Sequence, residues 1–140
     1  MTTGADVVAE ARTWLDTPYH HQGRVRGVGV DCLGLLVGVG RALGLTQFDI
    51  TNYPRIPTYD SLTRGCEDNL VRVRPPSLQA GDVLLLRFDK WPGHLAILTD
   101  DDTIIHAYFA RRKVVEHRID ADWWRKTRGT YRFPGVSRER

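Results

Sequence analysis

One cysteine and two histidines supply the residue types that nucleophilic catalysis needs. Cys32 follows Asp31 at the predicted start of a helix, where unpaired N–H groups favour a thiolate. His94 opens a predicted strand, and His106 lies twelve residues later on the next strand. On adjacent antiparallel strands these two imidazoles can face each other. The three side chains would provide a nucleophile, a base and a group that orients the base.

The same residues also have a simpler interpretation. A cysteine at the start of an apolar helix is often a small core residue, and a strand histidine often serves packing or lies at the surface. Spacing alone therefore leaves both interpretations open for Cys32, His94 and His106. We predict a surface position for His117 and a structural role for Cys66.

The first half of the chain is predicted to be mainly helical. Apolar residues recur at helical spacing over residues 6–15, and a glycine-rich loop follows. A second helix is predicted over residues 32–44, with Asp31 as its N-cap and Gly44 just beyond its end. Because this helix is apolar nearly all round, we expect it to be central and buried. A third, weaker helix is predicted over residues 58–70.

The second half of the chain shows strand patterns instead. Turn-forming residues separate runs of β-branched and aromatic residues, and strands are predicted over residues 83–88, 94–99, 103–109, 113–119 and 130–133. Trp123 and Trp124 are expected in a short connection that covers the sheet, with contact to a glycan or partner as the alternative. Helices followed by antiparallel strands indicate an α+β fold, in which N-terminal helices pack on an antiparallel sheet.

Length and composition fit a single soluble domain over residues 1–140. The chain has 41% hydrophobic and 26% charged residues, and no repeat or long linker divides it. The net charge is only +3, and its arginines are scattered rather than clustered. A nucleic-acid partner is therefore not expected. No apolar run approaches the roughly 20 residues of a membrane-spanning helix, so membrane insertion is not expected either.

Metal binding and disulfide formation are also disfavoured. Two cysteines are too few for a disulfide framework, and we expect both to be free thiols. The adjacent pair His20-His21 does not have a standard zinc-ligand spacing. We therefore expect no metal and no cofactor. The first six residues lack the features of a signal peptide, which predicts synthesis in the cytoplasm without export by that route.

Five short segments, in order along the chain, resemble the motifs of NlpC-type cell-wall peptidases. The segment Gly29-Val30-Asp31-Cys32-Leu33-Gly34-Leu35 is similar to the nucleophile motif of that family. Thr17-Pro18-Tyr19 resembles its upstream Pro-Tyr element. Gly81-Asp82-Val83-Leu84 and Gly93-His94-Leu95-Ala96-Ile97 resemble its Gly-Asp and histidine strands, and Ile105-His106-Ala107 its third catalytic segment. The resemblance implies a papain-like fold with the nucleophile on the central helix.

The resemblance also implies a role for each matched residue. Cys32 would be the nucleophile, His94 the general base, and His106 the residue that orients His94. Tyr19 would assist the oxyanion or the substrate from beside the nucleophile. Asp31 would cap the helix or hold the preceding loop, and the Cys32 N–H would contribute to an oxyanion hole.

The chain departs from the common family pattern at two places. Leu33 stands where the family commonly has serine, and Tyr19-His20-His21-Gln22-Gly23-Arg24 replaces a Tyr-aromatic-Gly-Gly pattern. Both departures resemble the branch found in the tails of phages and gene transfer agents. We place His20, His21 and Trp91 at the rim of the cleft.

The resemblance implies a tail-associated peptidoglycan endopeptidase. Its substrate would be the stem peptide, cut between γ-D-glutamyl and a diamino acid, and it would open the wall of the target cell locally during DNA delivery. A tail hub protein would be its partner, and it would act in the periplasm or cell wall of that cell. The alternative is a structural tail-tip plug that keeps the fold with little catalysis. Intact Cys32, His94 and His106 favour the enzyme.

Overall fold

A computed structural model describes residues 1–55 and 60–139. Its helices are α1 (Gly4–Arg12), α2 (Cys32–Ala42), α3 (Ser61–Asn69) and α4 (Ala121–Lys126). Its strands are β1 (Arg24–Val25), β2 (Gly29–Val30), β3 (Val71–Arg72), β4 (Val83–Arg87), β5 (Pro92–Leu98), β6 (Thr103–Tyr108), β7 (Lys113–Arg118) and β8 (Thr127–Arg132). None of the helices in this part of the chain has the length and apolarity to cross a membrane.

The main sheet is antiparallel and has the strand order β3-β8-β4-β5-β6-β7. Strands β4 to β7 follow one another as a meander, and β8 returns to lie on the other side of β4. One face carries α1 and α2 over the larger core cluster. The opposite face carries a smaller cluster that includes Leu84, Leu86 and Ile104, with Trp123 packed against it. The predicted combination of helices and an antiparallel sheet is confirmed.

Helix α2 lies where the sequence predicts a central buried helix. Asp31 accepts a hydrogen bond from the Gly34 N–H at 2.8 Å, which confirms the predicted N-cap. The helix ends at Ala42 rather than Gly44, because the chain turns through Gly44 at a φ of +67°. Close packing explains the glycine at position 38, where a Cβ would lie 2.2 Å from Cζ2 of Trp14.

Helix α1 begins two residues before the predicted start and ends three residues before the predicted end. Thr3 and Asp6 form a capping box, in which each side chain accepts from the other residue's backbone N–H. At the other end, tight turns lead the chain to Asp16, which has a φ of +68°. The predicted third helix is observed over Ser61–Asn69, and residues 58–59 of that prediction lie outside the described residues.

Several short elements differ from the prediction. The assignment of Trp123 and Trp124 to a short connection is wrong, because Asp120 accepts from the Trp123 N–H and caps helix α4 there. The glycine-rich loop contains the hairpin β1–β2, whose two-residue strands are too short to show a period. Strand β5 begins at Pro92, inside the predicted turn, and β8 begins at Thr127 rather than at residue 130.

A buried ion pair ties β8 to the start of β4. Asp82 is fully buried and accepts from Arg132 at 2.8 and 3.0 Å and from the Gln79 N–H at 2.9 Å. Gly81 precedes it with a φ of +89°, which favours glycine, and a Cβ there would meet the Gly4 backbone. The Gly81-Asp82 pair therefore has a structural role between the sheet and α1.

Candidate active site

The thiol of Cys32 lies in the first turn of α2, against strand β5. Its Sγ faces the carbonyl oxygen of Gly93 at 4.0 Å. Burial raises the pKa of this thiol to about 12, and the nearby carboxylate of Asp31 adds to the effect. Backbone N–H groups of Leu95, Leu33 and Cys32 lower the pKa but do not outweigh burial. The N–H groups at the helix start thus favour the thiolate, as expected, but burial outweighs them and the resting thiol is protonated.

The two predicted strand histidines contact each other. Nε2 of His94 on β5 lies 2.6 Å from Nδ1 of His106 on β6, and both side chains are buried. Burial lowers the pKa of His94 to about 3, with a smaller effect from His117. Burial likewise lowers the pKa of His106 to about 2, followed by the charges of His94 and His117. Both rings are therefore neutral near pH 7.

A cleft of about 780 Å³ joins the thiol to the histidine pair. Cys32, His94, Tyr19 and Asp31 all line it, whereas His106 lies behind His94. Within the described part of the chain, no hydrogen bond links Cys32 directly to His94. The resting site thus holds a protonated thiol and a neutral imidazole that line the same cleft.

Tyr19 is fixed beside the nucleophile by its backbone and its ring. Its N–H donates to the Arg112 carbonyl at 2.8 Å, and its ring meets Phe109 edge-on at 5.4 Å. Burial raises the pKa of its phenol to about 12, and proximity to Cys32 and Asp31 raises it further. The hydroxyl therefore stays protonated and can donate a hydrogen bond into the cleft.

Asp31 is the centre of a buried polar network. Besides the cap to Gly34, its carboxylate accepts from the Gln22 N–H at 2.8 Å and from Arg24 at 3.1 Å. The Tyr53 hydroxyl donates to the same carboxylate. All these bonds hold the loop and the helix start in place, in agreement with the capping role predicted for Asp31.

Arg24 connects that network to a second segment of chain. Its guanidinium donates to Asp49 at 3.1 Å, to the Ile50 carbonyl at 3.0 Å and to the Tyr53 hydroxyl at 2.9 Å. Arg24, Asp49 and Tyr53 were not predicted as site residues. No local signal identifies them, because their contacts span about 25 residues of chain.

The three predicted rim residues are placed differently. His21 and Trp91 line the cleft, and Nε2 of His21 bonds the Tyr53 carbonyl at 3.0 Å. His20 is exposed, and its Nδ1 bonds the His21 carbonyl at 3.0 Å. Of the residues described, those lining the cleft do not include His20.

His117 is a further site residue that was not predicted from the sequence. It is only partly exposed, and its Nε2 lies 2.8 Å from Nε2 of His106. Aromatic rings surround these imidazoles, with Tyr108 stacked on His106 at 4.8 Å and Trp123 at 5.0 Å from His117. Strand alternation was the available signal, because His106 pairs with Val115 and His117 falls two residues further on the same face.

The described residues contain no group of three or more histidine, cysteine or carboxylate side chains arranged to hold a metal ion. Each ring nitrogen of His106 instead faces another imidazole nitrogen.

Comparison with known proteins gives matches that cover most of the chain. The profile of the NlpC/P60 family matches residues 16–132. An NlpC/P60 family protein from Bacillus cereus ATCC 10987 is 26% identical, with a TM-score of 0.72 over 94% of this chain and 40% of that one. The NlpC/p60 domain of the peptidoglycan hydrolase SagA is 25% identical, with a TM-score of 0.66 over 93% of this chain and 98% of that one.

A more distant structure shares the fold. The peptidoglycan hydrolase RipB from Mycobacterium tuberculosis is 17% identical, with a TM-score of 0.65 over 95% of this chain and 65% of that one. The chain thus spans about 40% of the Bacillus protein but nearly all of the SagA domain. Comparison with curated proteins gives no match.

The matched range contains Cys32, His94 and His106 and ends at the last residue of the sheet. The predicted papain-like fold, with N-terminal helices packed on an antiparallel sheet, is confirmed by these matches. The chain belongs to the NlpC/P60 family.

Proposed function

We propose that this protein is a peptidoglycan hydrolase that cleaves a stem-peptide bond through Cys32. The observation that carries the proposal is the cleft lined by both Cys32 and His94, with His106 hydrogen-bonded to His94 behind it. Membership of the NlpC/P60 family and the likeness to the SagA domain support peptidoglycan as the substrate class.

The first chemical step is a proton transfer that activates the thiol. Since Nε2 of His94 is engaged with His106, Nδ1 is the ring nitrogen that receives the Cys32 proton. The sulfur then attacks the scissile carbonyl and forms a tetrahedral oxyanion. The Cys32 N–H and the Tyr19 hydroxyl are the donors that stabilise this oxyanion.

The second half returns the site to its starting state. The His94 imidazolium gives its proton to the leaving amine, the C–N bond breaks, and a thioester to Cys32 remains. A water molecule, deprotonated by His94, attacks the thioester. The products are a carboxylic acid and the regenerated thiol, so atoms and protons balance. His106 keeps the His94 ring oriented through both steps.

The test compares purified peptidoglycan treated with the wild type, Cys32→Ala and Cys66→Ala. Cys66 is a matched control because it is the other free cysteine and is buried in the core. Mass spectrometry should find stem-peptide fragments with the wild type and Cys66→Ala, and none with Cys32→Ala. Equal release by wild type and Cys32→Ala would contradict the proposal.

We propose the γ-D-glutamyl–diamino acid bond as the site of cleavage. This proposal rests on family resemblance. The masses of the released fragments test it directly, because cleavage elsewhere in the stem leaves fragments of different composition.

We propose further that the protein acts from the tail of a phage or gene transfer agent, bound to a tail hub protein. Leu33 and the segment Tyr19-His20-His21-Gln22-Gly23-Arg24 support it, since both resemble that branch of the family. Mass spectrometry of purified particles tests it. The chain should co-sediment with the tails, and its restriction to the soluble cell fraction would contradict this part of the proposal.

One observation favours the structural tail-tip plug as a second candidate. The Cys32 thiol faces the Gly93 carbonyl, and its pKa is raised rather than lowered. A plug needs no activated thiol. A folded wild type that releases nothing from walls of several stem chemistries, alone and on the tail, would support the plug over the enzyme.

A further inference from the structure

Three imidazoles form one continuous chain of hydrogen bonds that ends on a backbone carbonyl. Nε2 of His94 meets Nδ1 of His106 at 2.6 Å, and Nε2 of His106 meets Nε2 of His117 at 2.8 Å. Nδ1 of His117 meets the Arg118 carbonyl oxygen at 2.9 Å. The proposed mechanism uses only the first two rings.

When His117 is neutral, the carbonyl determines the direction of every bond in this chain. A carbonyl oxygen only accepts, so Nδ1 of His117 carries the hydrogen and, in the neutral ring, Nε2 carries a lone pair. His106 must then donate from Nε2, which leaves a lone pair on its Nδ1. His94 must donate from Nε2 to that lone pair. The lone pair of His94 is therefore on Nδ1.

We propose that His117 is a positioning residue, anchored on the Arg118 carbonyl, that fixes His106 and His94 as Nε2–H tautomers. The consequence rests on the proposed function: Nδ1 of His94 is held as the acceptor for the Cys32 proton. With His117 neutral, the opposite direction would place its Nδ1 lone pair against the carbonyl oxygen at 2.9 Å, so that two acceptors face each other.

Packing holds the three imidazole rings in the positions that this chain of hydrogen bonds requires. In the β6–β7 pairing, His117 lies opposite Ile104 and His106 lies opposite Val115. Tyr108 stacks on His106, and Trp123 meets the same ring edge-on at 5.3 Å. The low pKa values of His94 and His106 keep both rings neutral, as the tautomer argument requires.

The direct test is long-range 1H–15N NMR of the histidine rings in the 15N-labelled full chain at pH 8. Pyrrole-type and pyridine-type nitrogens have distinct 15N shifts, so each tautomer is read without any activity. We expect Nε2–H in His94 and His106 and Nδ1–H in His117. An Nδ1–H tautomer of His94 or an Nε2–H tautomer of His117 in the wild type would overturn the proposal.

A pair of variants tests the positioning role. In His117→Gln the amide oxygen can occupy the place of Nε2 and accept from His106, whereas His117→Leu has no acceptor. With Leu, we expect a mixture of His94 tautomers and a kcat about 10-fold lower, at an unchanged KM. With Gln, the Nε2–H tautomers and most of kcat should return. Equal loss of kcat in Gln and Leu variants that both keep the wild-type tautomers would overturn the positioning role.

The spectra and the kinetics separate this proposal from the proposed function. Expected tautomers in a chain that never cleaves peptidoglycan would contradict the function and leave the tautomer assignment supported. Cleavage by a chain whose His94 is the Nδ1–H tautomer would contradict the assignment alone. If His117→Leu does not fold, the wild-type spectrum still decides the tautomer of each histidine.

Discussion

The guanidinium of Arg24 donates to the carboxylate of Asp31 over 3.1 Å, immediately before the helix that carries Cys32. Asp31 is 2% exposed, so its charge is compensated almost entirely by protein groups. The pair supports the nucleophile by positioning the helix start, because the charge of Asp31 itself raises the Cys32 pKa and so disfavours the thiolate. The pair therefore holds the start of helix α2, and with it Cys32, in place.

Replacing Asp31 by alanine is expected to destabilise the protein strongly. The change removes the helix cap and one of the two carboxylate partners of Arg24, at a cost of about 3 kcal/mol. Asp31→Asn keeps a capping oxygen and should cost less. Urea unfolding of each variant measures the difference in free energy of unfolding.

The matched control is Asp120→Ala, which removes the exposed N-cap of helix α4. That change is expected to cost about 1 kcal/mol, as a cap alone does. If Asp31→Ala costs no more than Asp120→Ala, the buried network contributes nothing beyond capping.

Tyr19→Phe should lower kcat about 100-fold with little change in KM, because it removes one of the two donors proposed for the oxyanion. Steady-state cleavage of a soluble stem peptide measures both constants. Tyr131→Phe is the control, since Tyr131 is a core residue of β8 and does not line the cleft among the residues described. An unchanged kcat in Tyr19→Phe would show that this hydroxyl takes no part in the rate-limiting step.

Gly38→Ala is expected to destabilise the protein by about 2 kcal/mol, although alanine favours a helix more than glycine does. The new Cβ would lie 2.2 and 2.3 Å from two carbons of the Trp14 ring. Trp14→Phe removes those carbons and opens space for the methyl group.

A double-mutant cycle on Gly38 and Trp14 therefore tests the packing. The cost of Gly38→Ala should fall by about 1 kcal/mol or more in the Trp14→Phe background, as measured by denaturant unfolding. Additive costs would mean that the clash between α2 and Trp14 is relieved elsewhere.

The buried histidines should make stability depend on pH in the acid range. The pKa values of His94 and His106 are lowered to about 3 and about 2, so the unfolded chain binds protons that the folded chain does not. Their contribution is present above the unfolded value of about 6.5 and is lost as pH falls toward 3. Each histidine adds a slope of up to about 1.4 kcal/mol per pH unit.

The measurement is the free energy of unfolding of wild type and His106→Gln between pH 7 and pH 4. The variant lacks one of the two titrating rings, and its stability should fall less steeply with acid. Equal slopes would indicate that His106 is protonated in the folded protein at these pH values.

Local sequence signals predicted most of the elements and their caps. The N-cap at Asp31 and the strands that carry His94 and His106 follow from residues within one or two turns of each position. Helix α4 and strands β1 to β3 were missed because they are short, and short segments show little periodicity. Their formation depends on caps and on partners elsewhere in the chain.

The sequence by itself determined the chemical inventory of the site: one thiol at a helix start, two imidazoles on adjacent strands and a tyrosine upstream. Tertiary structure decided how these groups behave. Burial in the folded protein sets the pKa of Cys32 and His94 in opposite directions, and β7 brings His117 against His106. The burial of these groups and their hydrogen-bond partners depend on contacts between segments that are separated in the chain. A local sequence pattern therefore does not predict them.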